Sequence, residues 1–294
     1  MRITEDCDTL LHDIIENCDV RPVFQPIVSL RTGTTVAYEA LARGPAGTPL
    51  ESPDALFALA AATGRTAELD WTCRIAALRA ALGAGLTCRL PLFVNAEPAT
   101  VRTPPPAALR RDLIAAAQRL RIVVELTERK LISDPDGLLL AVRDIRARGM
   151  LIALDDIGAD PASLQAMRAI APEVLKVDRS VVQHCKTPTS LDVIAAVRAQ
   201  ARRTGAVMVA EGIENTHHLR AALWLGASLG QGWLFGHPGP LPVWFSDGGP
   251  AETAPDPAAT LRALDRVQYR PEPPRLLNWP SPCRCHETLA RHTA

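Results

Sequence analysis

Eight short runs of strand character recur between about residue 22 and residue 236: PVFQPIVS, TTVAYEALAR, PLFVNAE, RIVVELTE, MLIALDD, EVLKVDRS, AVMVAEGIE and GQGWLFG. Longer Ala- and Leu-rich segments of helical period separate most of them, the order expected of strand–helix units. Several runs are apolar on both faces, as parallel strands covered by helices are, and eight such units suffice to close a barrel. The connection SLRTGT between the first two is too short for a crossover and predicts an antiparallel hairpin. The expected fold class is therefore α/β, a modified TIM-type (β/α)8 barrel with one antiparallel strand.

Helices are expected near 53–82, 106–120, 136–148, 161–170, 189–204 and 216–225. Ser52 before Pro53, and Asp160 before Pro161, match an N-cap followed by proline in the first helical turn. The barrel is assigned to residues 1–245. Residues 246–294, rich in proline and turn formers, read as a C-terminal extension with partial disorder. Cys283, Cys285, His286 and His292 in that extension match no common zinc spacing.

At 294 residues with 47% hydrophobic side chains, the chain can bury a large core. Acidic and basic residues balance at 32 each, so no overall field favours a nucleic acid polymer, and recognition by charge has to be local. No apolar run approaches about 18 residues and no basic-then-apolar leader opens the sequence, which predicts neither membrane insertion nor export. Seven scattered cysteines fit a reducing, cytoplasmic setting.

Side chains at the carboxyl ends of parallel barrel strands converge on one mouth. Here those ends carry Glu39, Asn95, Glu125, Asp155 with Asp156, Lys176 with Asp178, Glu211 with Glu214, and Gln231. Strand ends that merely met water would carry a mixture of polar types; five of these strands supply carboxylates. Two carboxylates about 5 Å apart repel by roughly 3 kcal/mol at an effective dielectric near 20, so several at one rim require positive charge among them. Oxygen donors without nearby His or Cys point to Mg²⁺ or Mn²⁺. Asp155 and Asp156 in succession suit two ions about 4 Å apart, the arrangement for displacement at phosphorus. Lys176 is one of only three lysines, beside Lys130 and Lys186. Lysine can lose its proton where arginine effectively cannot, which suggests a general base, with a salt bridge to Asp178 as the plainer reading.

Taken together, the segments FQPIVSLRTG, EALAR (Glu39 to Arg43), FVNAEP, ELTER, ALDDIG, LKVDRS, VAEGIEN and GQGWLFGHP resemble, in order, the EAL domain family of cyclic di-GMP phosphodiesterases. The resemblance implies hydrolysis of cyclic di-GMP to linear pGpG with Mg²⁺ or Mn²⁺, and inhibition by Ca²⁺. It implies that Glu39, Asn95, Glu125 and Asp155 ligate a first metal and Asp156 and Asp178 a second. Lys176 would then activate water, with Glu211 and Glu214 ordering water and metal. Gln25, Leu41, Arg43 and Gln231 would contact the nucleotide, Glu128 would hold the loop after Asp156, and a homodimer would form. The departure is that loop: the family's Asp-Asp-Phe-Gly-Thr-Gly stands here as Asp155, Asp156, Ile157, Gly158, Ala159, Asp160. Asp160 either repels Glu128 or caps the next helix. The alternative function is a cyclic di-GMP receptor with weak or no turnover that signals through a protein partner, and a further one is an interaction module without the ligand.

Overall fold

The computed structural model describes residues 2–101, 103–126 and 134–242. Glu128 and the expected extension over 246–294, with its Cys and His residues, lie outside the described residues. Eight strands close into a barrel in chain order: β1 (Arg21–Ser29), β2 (Thr35–Arg43), β3 (Leu92–Asn95), β4 (Ile122–Leu126), β5 (Leu151–Ile157), β6 (Val174–Val177), β7 (Val207–Ala210) and β8 (Leu229–Gln231). β1 runs antiparallel to both β2 and β8, and every other neighbouring pair is parallel. The hairpin expected from SLRTGT is present, and it accounts for the single reversed strand.

The helices are α1 (Arg2–Asn17), α2 (Pro53–Ala62), α3 (Thr66–Gly83), α4 (Pro98–Val101), α5 (Arg110–Arg119), α6 (Pro135–Ala147), α7 (Ala162–Ile170), α8 (Arg179–Gln183), α9 (Pro188–Thr204) and α10 (Thr216–Leu225). Three of them start with a capping side chain followed by proline: Ser52 accepts from the Ala55 amide, Asp134 from Gly137 and Thr187 from Ser190. Proline costs nothing there because its missing N–H would have had no partner in the helix.

Several boundaries differ from the sequence reading: the runs AVMVAEGIE and GQGWLFG are strand only to Ala210 and Gln231, and three further differences have a local cause. The helix expected over 53–82 is two helices, broken where Gly64 takes the left-handed conformation at φ 71°. The helix expected from residue 106 opens as a 3₁₀ turn, Ala107–Leu109, and becomes α-helical at Arg110. The run EVLKVDRS is strand only to Val177, because Asp178 leaves the strand to cap α8 through the Ser180 amide.

Inside the barrel, Ile27, Ala37, Phe93, Val123, Ala153, Val174 and Val209 form one apolar layer, with Leu229 packed against it. A second, larger core lies between the outer strand faces and the surrounding helices, including Val94, Val124, Leu154, Leu175, Ile145 and Ile194. Each fully buried aliphatic side chain of this kind contributes roughly 1.5–3 kcal/mol relative to exposure. With both faces buried, the strand backbones have little freedom to shift, which fixes what the next inward residue on each strand can reach.

Candidate metal and nucleotide site at the barrel mouth

Side chains of a strand alternate faces, so the residue two positions from an inward one also points inward. One step toward the mouth from the apolar layer, that rule gives Glu39 after Ala37, Asn95 after Phe93, Glu125 after Val123 and Asp155 after Ala153. It gives Lys176 after Val174, Glu211 after Val209, Gln231 after Leu229 and, on the reversed strand, Gln25 before Ile27. The barrel changes from apolar to polar at this level on every strand, with Glu211 one residue past the end of β7, where its amide still bonds the Val177 carbonyl.

Lys176 is at the centre and is 1% exposed. Its Nζ lies 2.6 Å from Glu125 Oε1, 2.8 Å from Glu211 Oε1, 3.0 Å from Asp155 Oδ1 and 3.3 Å from Glu39 Oε2. The plainer reading, a private salt bridge to Asp178, does not hold: Asp178 is absent from these ion pairs, and its Oδ1 accepts from the Ser180 amide at 2.8 Å and from the Ser180 hydroxyl. Asp178 lies one residue past the end of β6, where its side chain turns to the start of α8 and does not share the inward face of Lys176.

Glu39 is the second hub. Its Oε2 accepts from Gln231 Nε2 at 2.5 Å and its Oε1 from Asn95 Nδ2 at 3.4 Å. Gln231 also donates to Gln25 Oε1 at 3.0 Å, and Gln25 donates to the Gly236 carbonyl at 3.1 Å. Carboxylate oxygens converge in two triplets, Glu39 with Glu125 and Asp155, and Asp155 with Asp156 and Glu211, each within 4.8 Å of one another. Glu125 Oε2 and Gln231 Oε1 are buried without a hydrogen-bond donor. Four acids against one ammonium, converging oxygens and an orphaned buried oxygen suit a hard divalent cation.

The ionisation of the ring follows from the same imbalance. Burial pushes the Glu125 carboxyl well above its ordinary value, with Glu39 and Asp155 adding to the effect. Burial and Asp155 do the same to Glu211. Glu39 ends below its ordinary value: burial opposes ionisation, but Lys176 and the Gln231 amide outweigh it. For Lys176, burial favours the neutral form, and Asp155, Glu125, Glu211 and Glu39 together overcome it, so the ammonium is held well above the usual lysine range. Metal binding must therefore expel protons from Glu125 and Glu211. Mn²⁺ affinity is expected to rise with pH, by up to about tenfold per unit for each proton released. Calorimetry in buffers of differing ionisation enthalpy measures that release, and a pH-independent affinity contradicts it. The folded chain binds more protons at these two acids than the unfolded chain does, so their contribution to metal-free stability declines as pH rises through the raised range.

Beside the ring, a cavity of about 220 Å³ is lined by Leu41, Arg43, Asn95, Glu125, Phe57 and Glu97, among others. Arg43, half-buried, donates to its neighbour's carbonyl, Ala42 O, at 2.7 Å. Glu214 is exposed and joins neither triplet. Asp156 has φ 53°, a left-handed conformation that costs a non-glycine residue of the order of 1–3 kcal/mol. Sequence reasoning did not single out Glu97, nor the buried pair Asp70–Arg74 on α3 that also lines the cavity. Their signal was present: an acid and a base four apart on a helix face that is otherwise apolar.

The family model for the EAL domain matches residues 8–238. The chain belongs to the EAL domain family. Among its relatives, the probable cyclic di-GMP phosphodiesterase PdeB of Escherichia coli is 33% identical over 235 residues, covering 76% of this chain and 44% of PdeB. Among solved structures, Klebsiella pneumoniae BlrP1 in its pH 9.0 manganese and cyclic di-GMP complex is 29% identical, with TM-score 0.65 over 75% of this chain and 56% of that one. The MucR phosphodiesterase in complex with cyclic di-GMP is 26% identical, with TM-score 0.65, covering 79% of this chain and 98% of that one. This EAL chain spans less than half the length of the curated relatives it matches. No helix among the described residues is long and apolar enough to cross a membrane.

Proposed function

We propose that this EAL domain hydrolyses cyclic di-GMP to linear pGpG, with Mg²⁺ or Mn²⁺ held by the mouth ring. The observation that carries the reading is the ring itself: four inward carboxylates from four strands, all within 3.3 Å of Lys176 Nζ and grouped in two oxygen triplets. The BlrP1 complexes, named with calcium in one case and manganese in another, support divalent ions at such a site. Glu39, Asn95, Glu125 and Asp155 would hold one ion. Asp155, Asp156 and Glu211 would hold the other, with Asp178 contributing through the oxygen its helix cap leaves available and Glu214 acting from the outer rim. When bound, the ions supply charge neutralisation and Lewis-acid activation at phosphorus and at water.

The chain's own residues do the rest. Arg43 offers a guanidinium fork to a phosphate oxygen. Leu41, Gln25 and Gln231 border the nucleotide, Gln231 with an amide oxygen that has no donor in the ring. Lys176 orders the attacking water, and it becomes a proton acceptor only when the four carboxylates around it are neutralised. The EAL resemblance further suggests that Ca²⁺ inhibits and that two copies pair. The free described cysteines suit a cytoplasmic setting.

Incubation with cyclic di-GMP and Mn²⁺, followed by chromatography, is expected to yield pGpG. Binding without product would favour a cyclic di-GMP receptor, and no binding at all would overturn both.

A further inference from the structure

Ser163 is fully buried near the mouth, and the chemistry proposed above makes no use of it. Its hydroxyl accepts from the Gly158 amide at 3.0 Å and donates to the Asp160 carbonyl at 2.7 Å. Ser163 lies in the first turn of α7, where a capping side chain would accept from amides of that turn. Here the accepted hydrogen comes from five residues upstream, outside the helix, so the bond serves the loop. The expected N-cap at Asp160 is displaced: α7 starts at Ala162 with Pro161 in the N-cap position and no capping side chain, and Asp160 Oδ1 accepts from the Ala162 amide at 2.7 Å from one residue further out.

The same loop carries Asp156. The Ala159 amide donates to the Asp156 carbonyl at 3.1 Å, and Ile157 bridges Asp160. Gly158, at φ 103°, passes so close to α8 and α9 that an added Cβ would lie 2.4 Å from Val181 Cγ2 and 3.0 Å from Val193 Cγ1. A non-glycine residue stays in the left-handed region only when its surroundings over-determine it. The Ser163 hydroxyl ties the Gly158 end of this loop to α7, while Asp160 ties the other end.

We propose that Ser163 is a positioning residue, bracing the loop Ile157–Asp160 so that Asp156 is held in its left-handed conformation with its carboxylate beside Asp155 and Glu211. The inference rests on the reading that these acids hold divalent ions.

The test is calorimetric titration of the full chain with Mn²⁺, alongside hydrogen exchange of the metal-free protein. Wild type is expected to show two binding steps. Ser163→Ala should keep one and weaken the other by about tenfold or more, the scale for partners that orient a metal ligand. Ser163→Thr, which keeps the hydroxyl, should restore it. The Gly158 amide should exchange faster in Ser163→Ala. Thr204→Ala, at the end of α9 just before β7 and so at the opposite end of the barrel, should leave both steps unchanged. If Ser163→Ala does not fold, Ser163→Cys, which keeps the side chain's shape but replaces the hydroxyl with a weak donor and acceptor, carries the test, with the same step expected to weaken. Two unchanged steps in the loop variants overturn the brace while the metal reading stands. A wild-type chain without two steps overturns the metal reading, and the brace with it.

Discussion

Replacing Lys176 with alanine is expected to lower cyclic di-GMP turnover by about 10²–10⁴-fold, the range for loss of a positioned proton-transfer group, while nucleotide binding is largely kept. The second half of that expectation follows from position. Lys176 is 1% exposed and surrounded by acids, whereas Leu41 and Arg43, proposed above to meet the nucleotide, line the cavity beside the ring, and Lys176 does not. The variant carries a second signature in the metal-free protein. Removing the ammonium leaves Glu39, Glu125, Asp155 and Glu211 facing one another without a counter-charge, and breaking a buried pair in this way costs about 3–5 kcal/mol. Protonation of Glu125 and Glu211 relieves part of that cost, so the loss of melting temperature should deepen as pH rises. Mn²⁺ supplies the missing positive charge and should recover much of the loss. Retained turnover would remove Lys176 from the chemistry, and a melting temperature indifferent to Mn²⁺ would remove the electrostatic account of the ring.

Glu39→Ala is expected to abolish divalent ion binding in the Glu39–Glu125–Asp155 triplet and to lower turnover by about 10³-fold or more, as expected when charge stabilisation at the reacting phosphate is lost. Glu39 reaches three ring members at once, Lys176, Gln231 and Asn95, so its removal frees side chains on three other strands. Glu39→Gln separates charge from shape: it keeps the side chain's length and one acceptor oxygen, enough for the Gln231 amide, and removes the anion. Both variants should lose the ion, and only the alanine variant should also disturb Gln231 and Gln25. Parallel Mn²⁺ titrations and turnover measurements decide this, and an alanine variant that still bound Mn²⁺ as tightly as wild type would contradict it.

The ring was legible in the sequence because β-strand alternation is rigid. In RIVVELTE, Val123 belongs to the apolar layer, so Glu125 must share its face, and the same count places Glu39, Asp155 and Gln231. Gln25 was not reachable that way. Its strand is reversed, so its mouth-facing residue lies before the apolar position instead of after it, and only the resemblance supplied it. Asp178, placed at the strand end of EVLKVDRS by the sequence, lies past Val177, where the backbone turns into α8 and alternation stops. The break between α2 and α3 was missed because Ala- and Leu-rich period continues through Gly64, whose positive φ is a backbone choice that side-chain pattern does not record. The brace at Ser163 is a tertiary fact of the same kind. A serine in a first helical turn reads as a cap, and nothing in its neighbours says that its hydroxyl reaches back to Gly158.

The most direct measurement of the central claim is anomalous diffraction at the manganese edge from crystals of this chain grown with Mn²⁺ and cyclic di-GMP. The expected result is two peaks about 4 Å apart, one among Glu39, Glu125 and Asp155 and one among Asp155, Asp156 and Glu211, with the nucleotide's phosphate over them and Lys176 released from some of its four ion pairs. Saturating Mn²⁺ with no peak between these side chains, and Lys176 still paired to all four acids, would contradict it.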